Sequence, residues 1–396
     1  MLNETQKVQA QIMLRLIFVT GSIAHGGAER QTIALANRFA ERGYECHAVY
    51  IKNQGSGQIG RLQLGKAGTV RCLNATGYFD RGSLTDFATH ISRIGPAAIV
   101  AANPYSLMYS VLAMRLSGRR APVVITHHAT QLLGLKEQLQ MLLYRPFIWM
   151  ADRSVFVCHR QRRYWFRRGV FSPSNDVIHN GVDTDEFHDD RDPEERRKLR
   201  RALDITDTDY VIGISAVLRP EKNHLQLVDS IALLRKKGIP ARALLIGDGE
   251  MREAIESRAR ELNVEKHLMI TGFQADVRPY IAACDVMTLC SITEAFSLAA
   301  LEAMALGRPM VHSDVGGAAE MIFPGRNGLL FPVGNTGAFV DKLAILADRA
   351  VSRQMGREAR EVVKELFSEK RMVDRYEQTL LELYGTGPKR GASLTY

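Results

Sequence analysis

The chain has 396 residues, 46% of them hydrophobic and 24% charged, with a formal net charge of +9. That length exceeds one ordinary core and suits two domains of roughly 200 residues each, while the composition excludes extensive disorder. A pI near 9.3 calls for an anionic partner, whether nucleic acid, an anionic lipid surface or a phosphorylated substrate.

Cys46, Cys72, Cys158, Cys284 and Cys290 are odd in number and lack CxxC spacing. A disulfide framework or zinc site is therefore disfavoured, and a reducing cytoplasm is the expected compartment. Residues 1–11 lack the apolar centre of a signal peptide, and no run approaches the ~20 apolar residues of a membrane span.

In chain order, residues 14–20 are an apolar run of strand length. GSIAHGGAERQ then leads into a helical pattern, and 45–51 reads as a second strand. The glycines do not spell GxGxxG, because four residues separate Gly21 from Gly26 and Gly27; a dinucleotide fingerprint is disfavoured. Two adjacent glycines at a strand-to-helix turn let a phosphate or sugar approach bare backbone, although a plain tight turn uses them too. Further strand candidates lie at 69–73, 98–102 and 123–126, each followed by helical sequence. His127 and His128 close the last of these. A neutral imidazole there can donate to a sugar hydroxyl or phosphate; a purely structural histidine is the plainer alternative.

Residues 132–169 are apolar, basic and aromatic. Arg160, Arg162, Arg163, Arg167 and Arg168 surround Tyr164, Trp165 and Phe166. This is the composition of an interfacial segment, with aromatics at headgroup level and arginines on lipid phosphates, so an anionic membrane surface is an expected partner. The alternative is that the aromatics pack inward beneath a solvated basic face. No nucleic-acid-binding motif accompanies the cluster, so nucleic acid is not expected.

SPSNDVIHNGVDTDEF, at 172–187, closes the first half, and the charged run HDDRDPEERRKLRR follows it. The pairs Asp183/Asp185 and Asp207/Asp209 lie in linker-like sequence rather than at a buried strand end, which disfavours a DxD metal site. Strand 210–216 restarts the alternation. VLRPEKNH after it puts Arg219 and Lys222 at a strand-to-helix junction, where cations can pair a pyrophosphate and stabilise a departing nucleotide. Strand 243–246 ends at Gly247-Asp248-Gly249, and Gly272 and Phe273 sit in a later loop; ordinary turns use such residues too.

Residues 289–314, LCSITEAFSLAALEAMALGRPMVHSD, then form a strand, loop, helix, strand unit of a parallel α/β sheet. Ligands of open α/β sheets bind at the strands' carboxyl ends, where a helix N-terminus offers N–H groups to an anion. Glu294 in the loop and Glu302 on the helix flank that N-terminus. They suit a ligand with phosphate in its middle and hydroxyls on either side, such as a nucleotide sugar; alone, they would also fit a solvated helix face. From 336 the pattern is helical, and the polar tail 385–396 is expected to be disordered.

Glu294, seven residues, then Glu302, followed by AMALGRP and VGGAAEMI, comes in order after GGAER, HNGVD and RPEKNH. This set resembles the signature of the retaining glycosyltransferases of family GT4, and the likeness covers nearly the whole chain. The resemblance implies the α/β GT-B fold, two Rossmann-like domains facing across a central cleft. Residues 1–188 would bind acceptor, 189–372 would bind donor, and 373–396 would return a last helix to the first domain. It also implies roles. Gly26 and Gly27 touch the donor diphosphate, His128 stands beside the transferred sugar, and Arg219 and Lys222 pair the pyrophosphate. Gly247 and Gly249 make room near the base, which meets the backbone at Phe273. Glu294 receives the sugar hydroxyls, backbone N–H groups of Phe296, Ser297 and Leu298 face the phosphate, and Glu302 accepts from both ribose hydroxyls. One departure is that Val217 stands where the family commonly has arginine, so Arg219 or Lys222 must carry more of the charge.

The implied activity is metal- and cofactor-independent, retaining transfer of a hexose-type sugar from a UDP- or GDP-sugar to a glycan or lipid-linked acceptor. Bacterial polysaccharide or glycolipid assembly is the implied setting. No residue is an unambiguous nucleophile for double displacement, which favours front-face substitution. A nucleotide-sugar epimerase of the same fold, a phosphorylase, and a non-catalytic membrane-associated nucleotide-sugar binding protein are the alternatives.

Overall fold

The computed structural model describes residues 14–24, 26–54, 57–128, 134–188 and 193–386; the expected disordered tail lies largely outside them. Internal packing divides the chain into two units, Met1–His179 with Met372–Tyr396, and Asn180–Arg371.

The first unit is built on β1 (Arg15–Thr20), β2 (Glu45–Tyr50), β3 (Thr69–Cys72), β4 (Ala98–Ala102), β5 (Val123–His127), β6 (Arg153–Phe156) and β7 (Ser174–Val177). They form one sheet in the order β3-β2-β1-β4-β5-β6-β7, parallel throughout. RLIFVT and AIVAA read as near-continuous apolar runs because helices cover both faces of such a sheet. The two-residue period of a strand then sorts their side chains. Ile17, Val19, Ile99 and Ile125 pack with Phe87 and Tyr109 on one face. Leu16, Phe18, Val100 and Val124 pack with Phe39 on the other. That second layer is completed by the last helix, Glu369–Thr386, through Met372, Val373, Tyr376 and Leu380. Arg42 holds it at the surface, bonding Glu377 at 2.7 Å and Asp374 at 2.5 Å, while the Tyr44 hydroxyl donates to Glu377 at 2.8 Å.

The second unit holds β8 (Tyr210–Ser215), β9 (Ala241–Ile246), β10 (Leu268–Ile270), β11 (Val286–Leu289), β12 (Met310–Ser313) and β13 (Gly328–Phe331). Their order is β10-β9-β8-β11-β12-β13, again parallel. The division between units falls at 179/180 rather than 188 because NGVD, from Asn180, is already held by the second unit. Val182 N donates to Phe367 O at 3.0 Å, and Glu369 N donates to Val182 O at 2.8 Å. A Cβ on Gly181 would lie 2.6 Å from Glu369 Cα, so only glycine permits this crossing.

Strand order reverses between β1 and β4 in one unit and between β8 and β11 in the other. Loops leaving such a pair diverge and open a crevice at the carboxyl ends, the usual ligand position of doubly wound sheets. Among the described residues, no helix is long and apolar enough to cross a membrane.

Candidate functional site

At the β8/β11 reversal, Lys222 Nζ donates to Glu294 Oε1 at 2.5 Å. Lys222 lies in the 3-10 turn Pro220–Lys222 after β8, and Glu294 in the loop after β11. The two loops are stitched by backbone, Ile292 N donating to Glu221 O at 2.8 Å. The same Glu294 oxygen accepts from Ser291 Oγ at 2.8 Å. Ser291 O in turn accepts from Ser313 Oγ, at the end of β12, at 2.7 Å. Both charged side chains are largely buried, 23% exposed for Lys222 and 13% for Glu294. A pair so placed is charge-matched and held in one geometry. Arg219 does not join it: its guanidinium is 56% exposed and 4.0 Å from Glu221.

The helix Leu298–Ala305 follows directly, capped by Ser297, whose Oγ accepts from Ala300 N. Its start is fixed from a segment that the sequence presents as linker: buried Asn180 donates from Nδ2 to Phe296 O at 2.8 Å. The Phe296 ring packs on Phe367 with centroids 5.4 Å apart and contributes core rather than site surface. Glu302, one turn into LAALEAMA, is 2% exposed. A carboxylate costs much at such a position in an otherwise apolar helix unless its charge is matched by hydrogen bonding.

The glycines are accounted for by close backbone approach. A Cβ on Gly247 would lie 2.0 Å from Ala216 O, and one on Gly249 would lie 2.6 Å from Leu218 O. The loop after β9 therefore lies flat on the loop that leads to Lys222. Gly316, within VGGAAEMI, has φ +51 and would place a Cβ 2.1 Å from Glu294 O; Gly317 N donates to Ala295 O at 2.7 Å. Gly272 bridges Gly247, and Phe273 beside it is 67% exposed.

The sequence reading missed His312 on β12. It is 1% exposed, its Nδ1 bonds Ser313 O at 2.7 Å, and its buried Nε2 has no hydrogen-bond partner among the described residues. Burial pushes its pKa down, opposed by the charge of Glu294. The signal was MVHSD, a histidine at a strand's carboxyl end. The aspartate pairs serve the backbone: Asp183 Oδ1 accepts from Asp185 N and Glu186 N, and Asp209 Oδ2 accepts from Thr206 N and pairs Arg242.

In the first unit, Gly26 precedes the helix Gly27–Glu41 in extended backbone, in the loop that leaves β1. His127 is core, 2% exposed and stacked on Phe156 at 4.6 Å. His128 stands at the strand's edge, its Nε2 3.1 Å from Thr126 Oγ1 and its N–H on Asn103 Oδ1 at 3.1 Å. Burial pulls its pKa to about 4, which leaves the ring neutral at pH 7. Asn103, also missed, sits immediately after β4 with φ +68, a left-handed conformation that asparagine tolerates. The crevice of this unit thus gathers the loop after β1, Asn103 and His128.

The basic aromatic segment differs from the expectation that its aromatics lie at headgroup level. Trp165 is 1% exposed in the core, and of the three Phe166 alone is exposed, at 41%. Tyr164 is half-buried beneath the Arg168 guanidinium, 3.7 Å above its ring. The cause is the short helix His159–Phe166, whose turn points Gln161 and Trp165 inward together.

Two doubly wound parallel sheets, with a lysine and a glutamate closed over one reversal point, are the GT-B architecture. The family models agree: Glycosyltransferase Family 4 matches residues 25–186, and Glycosyl transferases group 1 matches 195–362. The chain is 30% identical over 271 residues to the N-acetyl-alpha-D-glucosaminyl L-malate synthase of Bacillus anthracis, covering 67% of this chain and 69% of that protein. It is 24% identical over 284 residues to the Escherichia coli UDP-Gal:alpha-D-GlcNAc-diphosphoundecaprenol alpha-1,3-galactosyltransferase, covering 69% and 72%. The crystal structure of Anabaena HepE with UDP-glucose superposes with a TM-score of 0.81 at 21% identity, covering 93% of this chain and 100% of that one. The protein belongs to glycosyltransferase family 4 and is a glycosyltransferase of GT-B fold.

Proposed function

We propose that the enzyme transfers a hexose-type sugar from a UDP- or GDP-sugar to a glycan or lipid-linked acceptor, with retention, without a metal, in the cytoplasm, during bacterial polysaccharide or glycolipid assembly. The observation that carries this is the Lys222–Glu294 bond beside the capped N-terminus of the helix that holds buried Glu302. Lys222 offsets negative charge on the departing diphosphate, with Arg219 as a second cation on the same turn. Backbone N–H groups of Phe296, Ser297 and Leu298 meet phosphate, where a helix start carries about half a positive charge. Glu294 receives the sugar hydroxyls. Glu302 accepts from both ribose hydroxyls, which one carboxylate can satisfy. Gly247 and Gly249 let the loop after β9 lie flat on the loop that leads to Lys222, beside the base, which meets Phe273. Gly26, Gly27 and His128 are the substrate contacts contributed by the first unit.

The bond from the anomeric carbon to the leaving phosphate breaks as the acceptor oxygen bonds on the same face, and the departing phosphate oxygen takes the acceptor's proton. Catalysis is then positioning and charge stabilisation. UDP-glucose in HepE and the UDP-sugar and lipid diphosphate in the name of the Escherichia coli relative support this donor and acceptor chemistry.

A thermal-shift panel of nucleotides and nucleotide sugars identifies the donor, and the anomeric coupling in the product's proton NMR spectrum reports retention. Lys222→Ala and Glu302→Ala are expected to lose at least about 10²-fold in turnover with unchanged circular dichroism. Wild-type-like rates in either would refute the assignment. EDTA leaves the rate unchanged on this reading. Isomerised sugar from donor alone would identify an epimerase, phosphate-dependent release of sugar phosphate a phosphorylase, and binding without turnover a sensor.

A further inference from the structure

The apolar side chains that face outward in the first unit belong to the helix Leu135–Trp149 rather than to the 160–168 segment. Leu135 is 79% exposed, Leu139 64%, Leu142 49%, Leu143 66% and Trp149 50%. At 3.6 residues per turn these positions, with Pro146 and Met150, fall within an arc of about 120°. Met141, Tyr144 and Ile148, on the opposite side, are buried. The helix is therefore apolar on both faces, and one face is left exposed among the described residues of its unit. Lys136 and Arg145 flank the outward stripe.

The charge around it is one-sided. From residue 115 to residue 171 the chain has eleven lysines and arginines and two acids, Glu137 and Asp152. Both acids are committed to backbone, Glu137 accepting from Gly134 N and Asp152 from Val123 N. The stripe is joined to the arginines at its C-terminal end. Trp149 Nε1 donates to Gly169 O at 3.0 Å, and Arg115 reaches Met150 Sδ at 3.7 Å. Beyond Gly169 the exposed rings of Phe166 and Phe171 meet at 5.7 Å, among exposed Arg163, Arg167 and Arg168.

We propose that the outward face of the helix Leu135–Trp149, with the arginines that rim it, is a docking surface for an anionic lipid bilayer. The leucines and Trp149 enter the boundary between headgroups and acyl chains while the arginines stay on lipid phosphates. A second copy of the chain fits the same face less well, because a two-fold contact would set one basic rim against another. The surface is independent of the reaction assigned above, and its test needs no donor.

Full-length protein is sedimented with phosphatidylcholine vesicles prepared with and without phosphatidylglycerol. Binding is expected to be roughly ten-fold stronger with the anionic lipid, with a blue shift of tryptophan emission. Of the two tryptophans, Trp165 is 1% exposed, so Trp149→Phe should abolish the shift and leave most of the binding. Leu139→Glu with Leu143→Glu should lower binding about ten-fold at an unchanged melting temperature, since both side chains are exposed in the folded chain. Equal, weak sedimentation with both vesicles would overturn the proposal. So would wild-type binding by the double variant, or a dimer that the double variant splits in a protein that binds no vesicle.

Discussion

Lys222 and Glu294 are 72 positions apart, and what joins them is glycine as much as charge. Gly316 crosses directly over the Glu294 backbone, so a methyl group there must push away the loop that carries the acid. Gly316→Ala is expected to cost about 1–3 kcal/mol in stability and at least about ten-fold in turnover, through the misplaced glutamate. Gly325→Ala is the matched control. Its φ is also positive, at +83, but nothing lies within 4 Å of the added Cβ, so it should lose some stability and keep its kcat. Equal kcat in the two variants would show that the crossing does not position Glu294.

At the scale of elements, the helix Leu298–Ala305 is positioned by two parts of the second unit that lie far apart in sequence. Ser297 caps it, and Asn180, the first residue of the unit, fixes the carbonyl just before the cap. Removing the amide leaves a buried acceptor without its donor, a loss of about 1–3 kcal/mol. Asn180→Ala should therefore lower the melting temperature by several degrees and raise the KM for donor more than it lowers kcat. A kcat/KM equal to wild type would mean that the helix start is held without it. The last helix is a second case. Met372, Val373, Tyr376 and Leu380 cover Leu14, Leu16 and Phe39, so deleting residues 372–396 uncovers one face of the first sheet. The truncated chain is expected to bind a hydrophobic dye and aggregate, and a monomeric, cooperatively melting product would contradict that packing.

For the molecule as a whole, buried histidines set an acid limit. Burial pulls His90 and His224 down to about 4 and His127 to about 3, from an unfolded value near 6.5. Below pH 6.5 the unfolded chain takes up protons that the folded chain refuses. Stability therefore rises with pH between about 3 and 6.5, is fully present above that window, and is lost as pH falls through it. Urea midpoints at pH 7.5, 5.5 and 4.5 should fall in that order; a flat series would contradict the neutral, buried rings.

The order of alternating strands and helices was legible in the sequence because parallel strands buried on both faces read as short apolar runs. The glutamates stood out because GGAER, HNGVD, RPEKNH and AMALGRP accompany them in order; alone they would equally fit a solvated helix face. Other features were not legible from local sequence. Asn103 entered only as a breaker of an apolar run, and MVHSD, although it ends a strand in a histidine as THH does, does not show locally that the His312 ring is buried beside Glu294. Trp165 read as interfacial and packs in the core, whereas the leucines of 135–149 belong to the same apolar and basic segment, with nothing in the sequence marking which of them face outward. Composition records that a helix is apolar, but which of its two apolar faces meets the sheet depends on the neighbours that cover it. The residues by themselves determined the elements and the chemistry available to them. Tertiary structure decided which loops meet and which faces stay open, because those depend on backbone crossings between segments far apart in the chain.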